Sequence, residues 1–310
     1  MSKVRVCFLG TPEFAVTALK GLLADEHFEV VGVVTQPDRP AGRKLLLTAS
    51  PVKSFAQSQG LEVLSPEKIN QELILKQIEK WDAEVAVVVA FGQILSTKFL
   101  NLFPFGAVNI HGSLLPAWRG AAPIQRSIEA GESETGVTLQ KIVKELDAGD
   151  ILGTRKITVP LEMTAMELHD KMALLGVELL RVELMDYVRG NLAPVPQDHS
   201  KVTYAKKLDK SECLIDWTQS ALKIHHKVRA FTMGPGVYTV AQGKKLKIHR
   251  SSPLAGKLTP GEVSLKKEKF DVGTGDGILE ILEAQPESKS RMSGGEALRS
   301  LGLKEGDRLG

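Results

Sequence analysis

Six consecutive apolar residues, Val85 to Ala90 within EVAVVVA, leave no polar side chain to face water. Successive residues of a strand point to opposite sides, so such a run belongs in a strand covered on both faces, as in the middle of a parallel sheet. VRVCFLG (Val4–Gly10), EVVGVVT (Glu29–Thr35) and GAVNIH (Gly106–His111) read as further strands, with LEVL (Leu61–Leu64) as a short one. Helix signals lie between them. Thr11-Pro12-Glu13 reads as N-cap, first-turn proline and first-turn acid of a helix to about Ala24. Ser50-Pro51 opens a helix to about Gln59, and another is predicted near Gln71–Trp81. Strands alternating with helices over the first 110 residues predict a doubly wound, mainly parallel α/β sheet.

Further along, a helix near Pro123–Ala130 precedes the β-like runs GVTLQKI (Gly136–Ile142) and ILGTRKITV (Ile151–Val159). Thr164 then caps an amphipathic helix to about Arg189, and Gly190–Gln197, with two prolines, opens a linker. Beyond Leu208 one helix (Gln219–Ala230) is followed by VYTVA, KLKIH, GEVSL, FDVGT and ILEILEA, separated by Gly, Pro and Lys. Short strands at close spacing predict a small, OB-like β-barrel. The expected division is a larger domain over residues 1–189, a linker over 190–207 and a barrel over 208–310.

Charge divides unevenly along the same line. From Leu208 onward there are 17 Lys and Arg against 13 Asp and Glu, in a chain whose net charge is only +3. The whole positive excess therefore lies in the last third, as suits a surface for a polyanion. Cys7 and Cys213 are the only cysteines and neither has a Cys or His at metal-ligand spacing, so neither a disulfide framework nor a zinc site is expected. No window approaches the apolar length of a membrane span, and a cytoplasmic protein is expected.

Ligands of open parallel sheets bind beyond the carboxyl ends of the strands. Asn109 and His111, two apart at such an end, point the same way. The segment after them, GSLLPAWRGAAPI, is held irregular by Gly112, Pro116, Gly120 and Pro123. A second candidate is KELDAGDIL, with Asp147 and Asp150 around Gly149. The turn after the first strand lacks the G-x-G-x-x-G of a dinucleotide site, which counts against an oxidoreductase. Thr35–Lys53 is a long loop carrying Arg39, Arg43 and Lys44, on the face where ligands bind and suited to a phosphate backbone.

Taken together, TQPDRPAGR, AFGQILS, NIHGSLLPAWRGAAPIQ, ETGVT, LDAGDIL, VTYAKKL and TGDGILEIL resemble, in order, the landmarks of the methionyl-tRNA formyltransferase family. HGSLLP with a later D-x-G-D is similar to the wider folate-dependent formyltransferase group; TQPDRPAGR and the C-terminal domain narrow the resemblance. It implies a Rossmann-like catalytic domain, a tRNA-binding barrel, and a monomer that uses 10-formyltetrahydrofolate and initiator methionyl-tRNA without a metal. It carries the catalytic Asn, His and Asp to Asn109, His111 and Asp147, and the folate-contacting loop to Ser113, Leu114, Leu115 and Pro116. The tRNA-contacting positions fall on Arg43 and Lys206. The chain departs from the family pattern with Phe91 for a usual Tyr, Ala117 for a basic residue, and Thr232-Met233-Gly234 for Asn-Pro-Trp.

The implied reaction is acyl transfer. An amine nitrogen attacks a formyl carbon, and donors must be in place for the oxyanion that forms. Asn109 and a protonated His111 would supply them. Asp147 would relay a proton through water from the amine towards the departing folate nitrogen.

Overall fold

The computed structural model describes residues 3–42, 45–265 and 269–310. The chain forms two compact units. One takes Met1–Gly120, Thr135–Ile157 and His169–Tyr204; the other takes Ala121–Glu134, Thr158–Leu168 and Ala205–Gly310.

The first unit begins β1 (Val4–Gly10), α1 (Glu13–Ala24), β2 (Phe28–Val34), β3 (Arg39–Ala41), β4 (Leu46–Thr48) and α2 (Pro51–Ser58). It continues β5 (Val63–Leu64), α3 (Glu72–Glu79), β6 (Val85–Val89), α4 (Thr97–Leu100), β7 (Ala107–His111) and β8 (Arg119–Gly120). After α5 (Pro123–Glu129), which lies in the second unit, come β9 (Glu134–Lys141), β10 (Ile151–Thr158) and α6 (Ala165–Leu179). A π-helical turn at Leu180–Leu184 leads to α7 (Met185–Val188), and β11 (Tyr204–Ala205) follows.

The main sheet has the order β10-β9-β7-β6-β1-β2-β5. Five neighbours, β5-β2-β1-β6-β7, pair in parallel, and β9 joins β7 antiparallel. This is the expected doubly wound sheet, with the order reversing between β1 and β6. Every residue of β6 is buried, as its unbroken apolar run requires. Trp81 packs directly on β2: a Cβ on Gly32 would stand 2.3 Å from the indole, so only a glycine lets the ring lie on the strand.

Two local expectations are corrected. Thr11 does not cap α1. Pro12 holds the N-cap position without a side-chain bond, and the Thr11 hydroxyl donates to the Phe91 carbonyl at 3.1 Å. The stretch after β2 is not wholly irregular, since β3 and β4 pair as an antiparallel ribbon. Ser50 does cap α2, accepting from the Lys53 amide.

In the second unit α8 (Ala221–Ala230) packs on α5. The strands are β12 (Val237–Ala241), β13 (Lys244–Leu254), β14 (Val263–Ser264), β15 (Asp271–Gly273), β16 (Ile278–Pro286) and β17 (Met292–Ser293). They form an antiparallel sheet of order β12-β13-β16-β15-β14, with β17 on β16. The last residues bridge its two ends. Val263 donates to the Asp307 carbonyl and Leu309 to the Gly261 carbonyl, while Gly310 donates to Val240 of β12. The final helix, α9 (Gly294–Leu301), was not among the expected elements. Its signal is the capping box of Ser293 and Glu296. On β13, Lys244 and Lys245 are exposed, and Leu246 and Ile248 on either side of Lys247 are buried. Lys266 and Lys267 lie outside the described residues, and Lys269 pairs with Glu280 at 2.8 Å.

His226, on α8, is buried against the end of α5, where a Cβ on Gly131 would come within 2.6 Å of its ring. Among the described residues its Nε2 has no hydrogen-bond partner. Burial, then the nearby charge of Arg229 and then His225, push the imidazole down to about 4. The unfolded chain takes this proton near the ordinary value of about 6.5. Stability from the neutral ring is therefore complete above that pH and falls as pH drops towards 4. The linked loss is at most about 3 kcal/mol. Urea unfolding at pH 7 and pH 4.5 should show a marked drop for the native chain and a smaller one for His226→Gln; equal drops would mean that other groups carry the acid sensitivity.

Candidate active site

β7 ends the parallel series and β9 runs back along it. This register places Asn109 opposite Gln140, and His111 opposite Thr138. Directly opposed residues share a face of the sheet, so these four side chains belong to one side. His111 is 5% exposed and Asn109 half-buried.

A backbone carbonyl can only accept, and that assigns the His111 ring. Its Nε2 lies 2.9 Å from the Trp118 carbonyl, so Nε2 carries a hydrogen and donates. Nδ1 is left for other chemistry and stands 3.7 Å from Asp147 Oδ2. That gap is too long for a direct hydrogen bond but short for an ion pair once the ring is protonated.

Asp147 is held from both sides of its carboxylate. The Gly120 amide donates to Oδ2 at 2.8 Å, and Gln140 Nε2 donates to Oδ1 at 3.1 Å. Its φ of +48° is in the left-handed region, which costs a non-glycine residue about 1–2 kcal/mol. Two hydrogen bonds to a charged acceptor, each contributing about 1.5–3 kcal/mol, outweigh that cost. The turn also closes tightly on β9: a Cβ on Gly149 would lie 1.8 Å from the Lys141 carbonyl.

The segment from Ser113 to Pro116 is tied to the same strand. Thr138 donates its hydroxyl to the Ser113 carbonyl at 2.7 Å and accepts from the Leu115 amide at 3.1 Å. The Ser113 hydroxyl donates to the Ala117 carbonyl at 2.6 Å. Ser113 and Leu115 are buried, and Leu114 and Pro116 are half-exposed. Phe91 is 2% exposed, and its carbonyl accepts from Thr11 and from Gln36.

The structure thus brings Asn109, His111, Asp147 and the 113–116 segment together around β7 and β9. Arg43 lies outside the described residues. Its flanks form the β3–β4 ribbon, at the tip of which Leu45, Leu46 and Leu47 are all exposed. Lys206 is exposed in the second unit, and its carbonyl accepts from Arg126 at 3.0 Å. Among the described residues no cluster of three or more His, Cys, Asp or Glu could hold a metal. No helix there is long and apolar enough to cross a membrane.

Sequence reasoning missed Gln140, Gln197 and Arg119. Gln140 had a signal: it shares strand parity with Thr138 inside a run buried on both faces. Gln197 had none, since it lies in a stretch whose prolines read as a linker. A cavity of about 620 Å³ in the second unit, between the end of α5 and α8, contains none of the residues named for the site.

Comparison with known proteins places these observations. Residues 3–183 match the family described as Formyl transferase, and residues 207–302 match Formyl transferase, C-terminal domain. A methionyl-tRNA formyltransferase of Bdellovibrio bacteriovorus is 62% identical over 317 residues, covering all of both chains. One from Magnetococcus marinus is 42% identical, covering 100% of this chain and 99% of the relative. Among solved structures, WlaRD, a sugar 3N-formyl transferase, is 20% identical with a TM-score of 0.67, covering 94% of this chain and all of that one. HypX from Aquifex aeolicus, in complex with tetrahydrofolic acid, is 19% identical with a TM-score of 0.65, covering all of this chain and 51% of that one. At these identities the two structures share the fold.

Gly149 gives a test of the turn. Gly149→Ala should displace Asp147 and lower formyl-transfer turnover about a hundredfold, as misplacement of a reacting group by an ångström can. Gly190→Ala is the control: its φ is +76°, but among the described residues nothing lies within 4 Å of the added methyl. It should lower the melting temperature slightly and leave turnover intact. Equal turnover in the two variants would detach the turn from catalysis.

Proposed function

The chain belongs to the formyl transferase family, and from that premise we infer that it moves the formyl group of 10-formyltetrahydrofolate to the amino group of initiator methionyl-tRNA. The observation that carries the acceptor is full-length identity of 62% to a relative of that name, through both domains. What carries the chemistry is the convergence of Asn109, His111 and Asp147 on one end of β7 and β9.

The geometry supports the following course of reaction. The amine nitrogen attacks the formyl carbon, whose oxygen becomes an oxyanion. The Asn109 amide and the protonated Nδ1 of His111 stabilise that oxygen, with Nε2 anchored on the Trp118 carbonyl. Asp147 balances the imidazolium across 3.7 Å and relays the proton lost by the amine, through water, towards the folate nitrogen as its bond to the formyl carbon breaks. A free α-amino group has a pKa of about 8, so it needs little help to become nucleophilic. Ser113–Pro116 form the folate side of the site. The β3–β4 ribbon with Arg43, together with Lys206 and the basic strands of the second unit, meet the tRNA. The enzyme works in the cytoplasm, as a monomer.

Labelled formyl-folate offered with methionyl-tRNA and with a nucleotide-linked amino sugar should label the tRNA, also with EDTA present. Label on the sugar alone would sink the acceptor. Asn109→Ala, His111→Ala and Asp147→Ala should each lower kcat by roughly two orders of magnitude or more. Combined, they should be less than additive. Near-normal turnover in His111→Ala would remove it from the mechanism.

The tRNA surface needs a gentler test than truncation. A cut after Lys207 would strip α8 from α5, because both belong to one unit. Changing Lys244, Lys245 and Lys247 to Gln leaves Leu246 and Ile248 in the core. Binding through phosphates releases counterions, so the triple variant should bind tRNA more weakly and with a shallower salt dependence. Its preference among tRNAs should not change, since phosphate contacts position rather than specify. An unchanged salt slope would place the contact elsewhere.

A further inference from the structure

Gln197 is 5% exposed, and every polar atom of its amide is engaged in the same neighbourhood. Its Nε2 donates to the Gly149 carbonyl at 2.7 Å and to the Asp147 carbonyl at 2.9 Å, with Gln140 Oε1 at 3.3 Å as a third acceptor. Its Oε1 accepts from Arg119 Nη2 at 2.7 Å and Nε at 3.2 Å. Acceptors surround one end of the amide and donors the other, so a single orientation satisfies the network. Arg119 and Gln140 are themselves 5% and 1% exposed.

The residues that Gln197 joins are those around the proposed proton relay. Arg119 precedes Gly120, whose amide donates to the Asp147 carboxylate. Gln140 donates to the other oxygen of that carboxylate and sits opposite Asn109. The two carbonyls that receive the Gln197 amide are that of Asp147 itself, in the left-handed turn, and that of Gly149 two residues on. We propose that Gln197 is a positioning residue for formyl transfer. By clamping the Asp147–Gly149 backbone and the Arg119 guanidinium, it holds the Asp147 carboxylate in reach of His111.

The inference deepens the function proposed above and rests on Asp147 as the relay. It also gives the segment after α7 a catalytic purpose: Gln197 brings it to the site, where its composition reads as a tether.

Two substitutions separate the contacts. Gln197→Glu keeps an oxygen for Arg119 but turns a second oxygen towards two carbonyls. Gln197→Met keeps the volume and removes every polar contact. Each should lower kcat ten- to a hundredfold, change KM for the formyl donor by less than about threefold, and leave the protein folded by circular dichroism. The deciding measurement is a cycle with Asp147→Asn. Once the carboxylate is gone there is nothing left to aim, so Gln197→Met should then cost less than about threefold further. A merely structural role would cost the same factor in both backgrounds, and that result overturns the proposal. So does wild-type kcat in Gln197→Met. The cycle is run on whichever amine the wild-type protein formylates, so a wrong acceptor sinks the functional reading while the cycle still decides the role of Gln197.

Discussion

The antiparallel pairing of β9 on β7 is the constraint on which the site depends. It sets Gln140 opposite Asn109 and Thr138 opposite His111, and from those two polar residues the surrounding loops are hung. Thr138 holds the 113–116 segment by both partners of its hydroxyl. Gln140 holds the Asp147 carboxylate. Strand residues alternate sides, so a slip of β9 by one residue would turn Thr138 and Gln140 to the opposite face from Asn109 and His111. The slip is opposed by the apolar neighbours Val137 and Leu139, which are fully buried on the other side.

The turn at Asp147 shows how a strained backbone is retained. Its left-handed conformation is unfavourable for an aspartate by itself. Bonds from Gly120 and Gln140 to the side chain, and from Gln197 to the main chain, restrain it. They come from three separate stretches of chain. Strain of this kind persists where surroundings over-determine it and is common at functional sites. The same network leaves His111 with one nitrogen on a carbonyl and the other facing the carboxylate.

The second unit follows a different economy. Its short strands bury alternate residues, and Lys244, Lys245 and Lys247 stand at non-buried positions of β13. Its sheet ends are bridged by residues 307–310, which answers the exposed-edge problem of small β structures. Two earlier pieces of chain, around α5 and before α6, belong to this unit. The Arg229 guanidinium donates to the Pro160 and Met163 carbonyls, and His225 lies 3.0 Å from that of Leu161. A single cut in the sequence therefore does not separate the folding units.

The sequence alone determined the parallel sheet, because a run such as Val85–Ala90 has only one environment that hides both its faces. It also determined the polar residues at the end of β7, since period-two alternation sends Asn109 and His111 the same way. The family resemblance added Asp147, which spacing alone left as an ordinary turn. Tertiary structure decided the rest. Thr11 had the chemistry of a cap but found the Phe91 carbonyl, 80 residues away, as a partner. Gln197 looked like part of a tether because no local pattern records hydrogen bonds to Arg119, 78 residues away, or to Gly149, 48 away. Periodicity reports which side of an element is buried; it carries no record of which distant polar group will be waiting there.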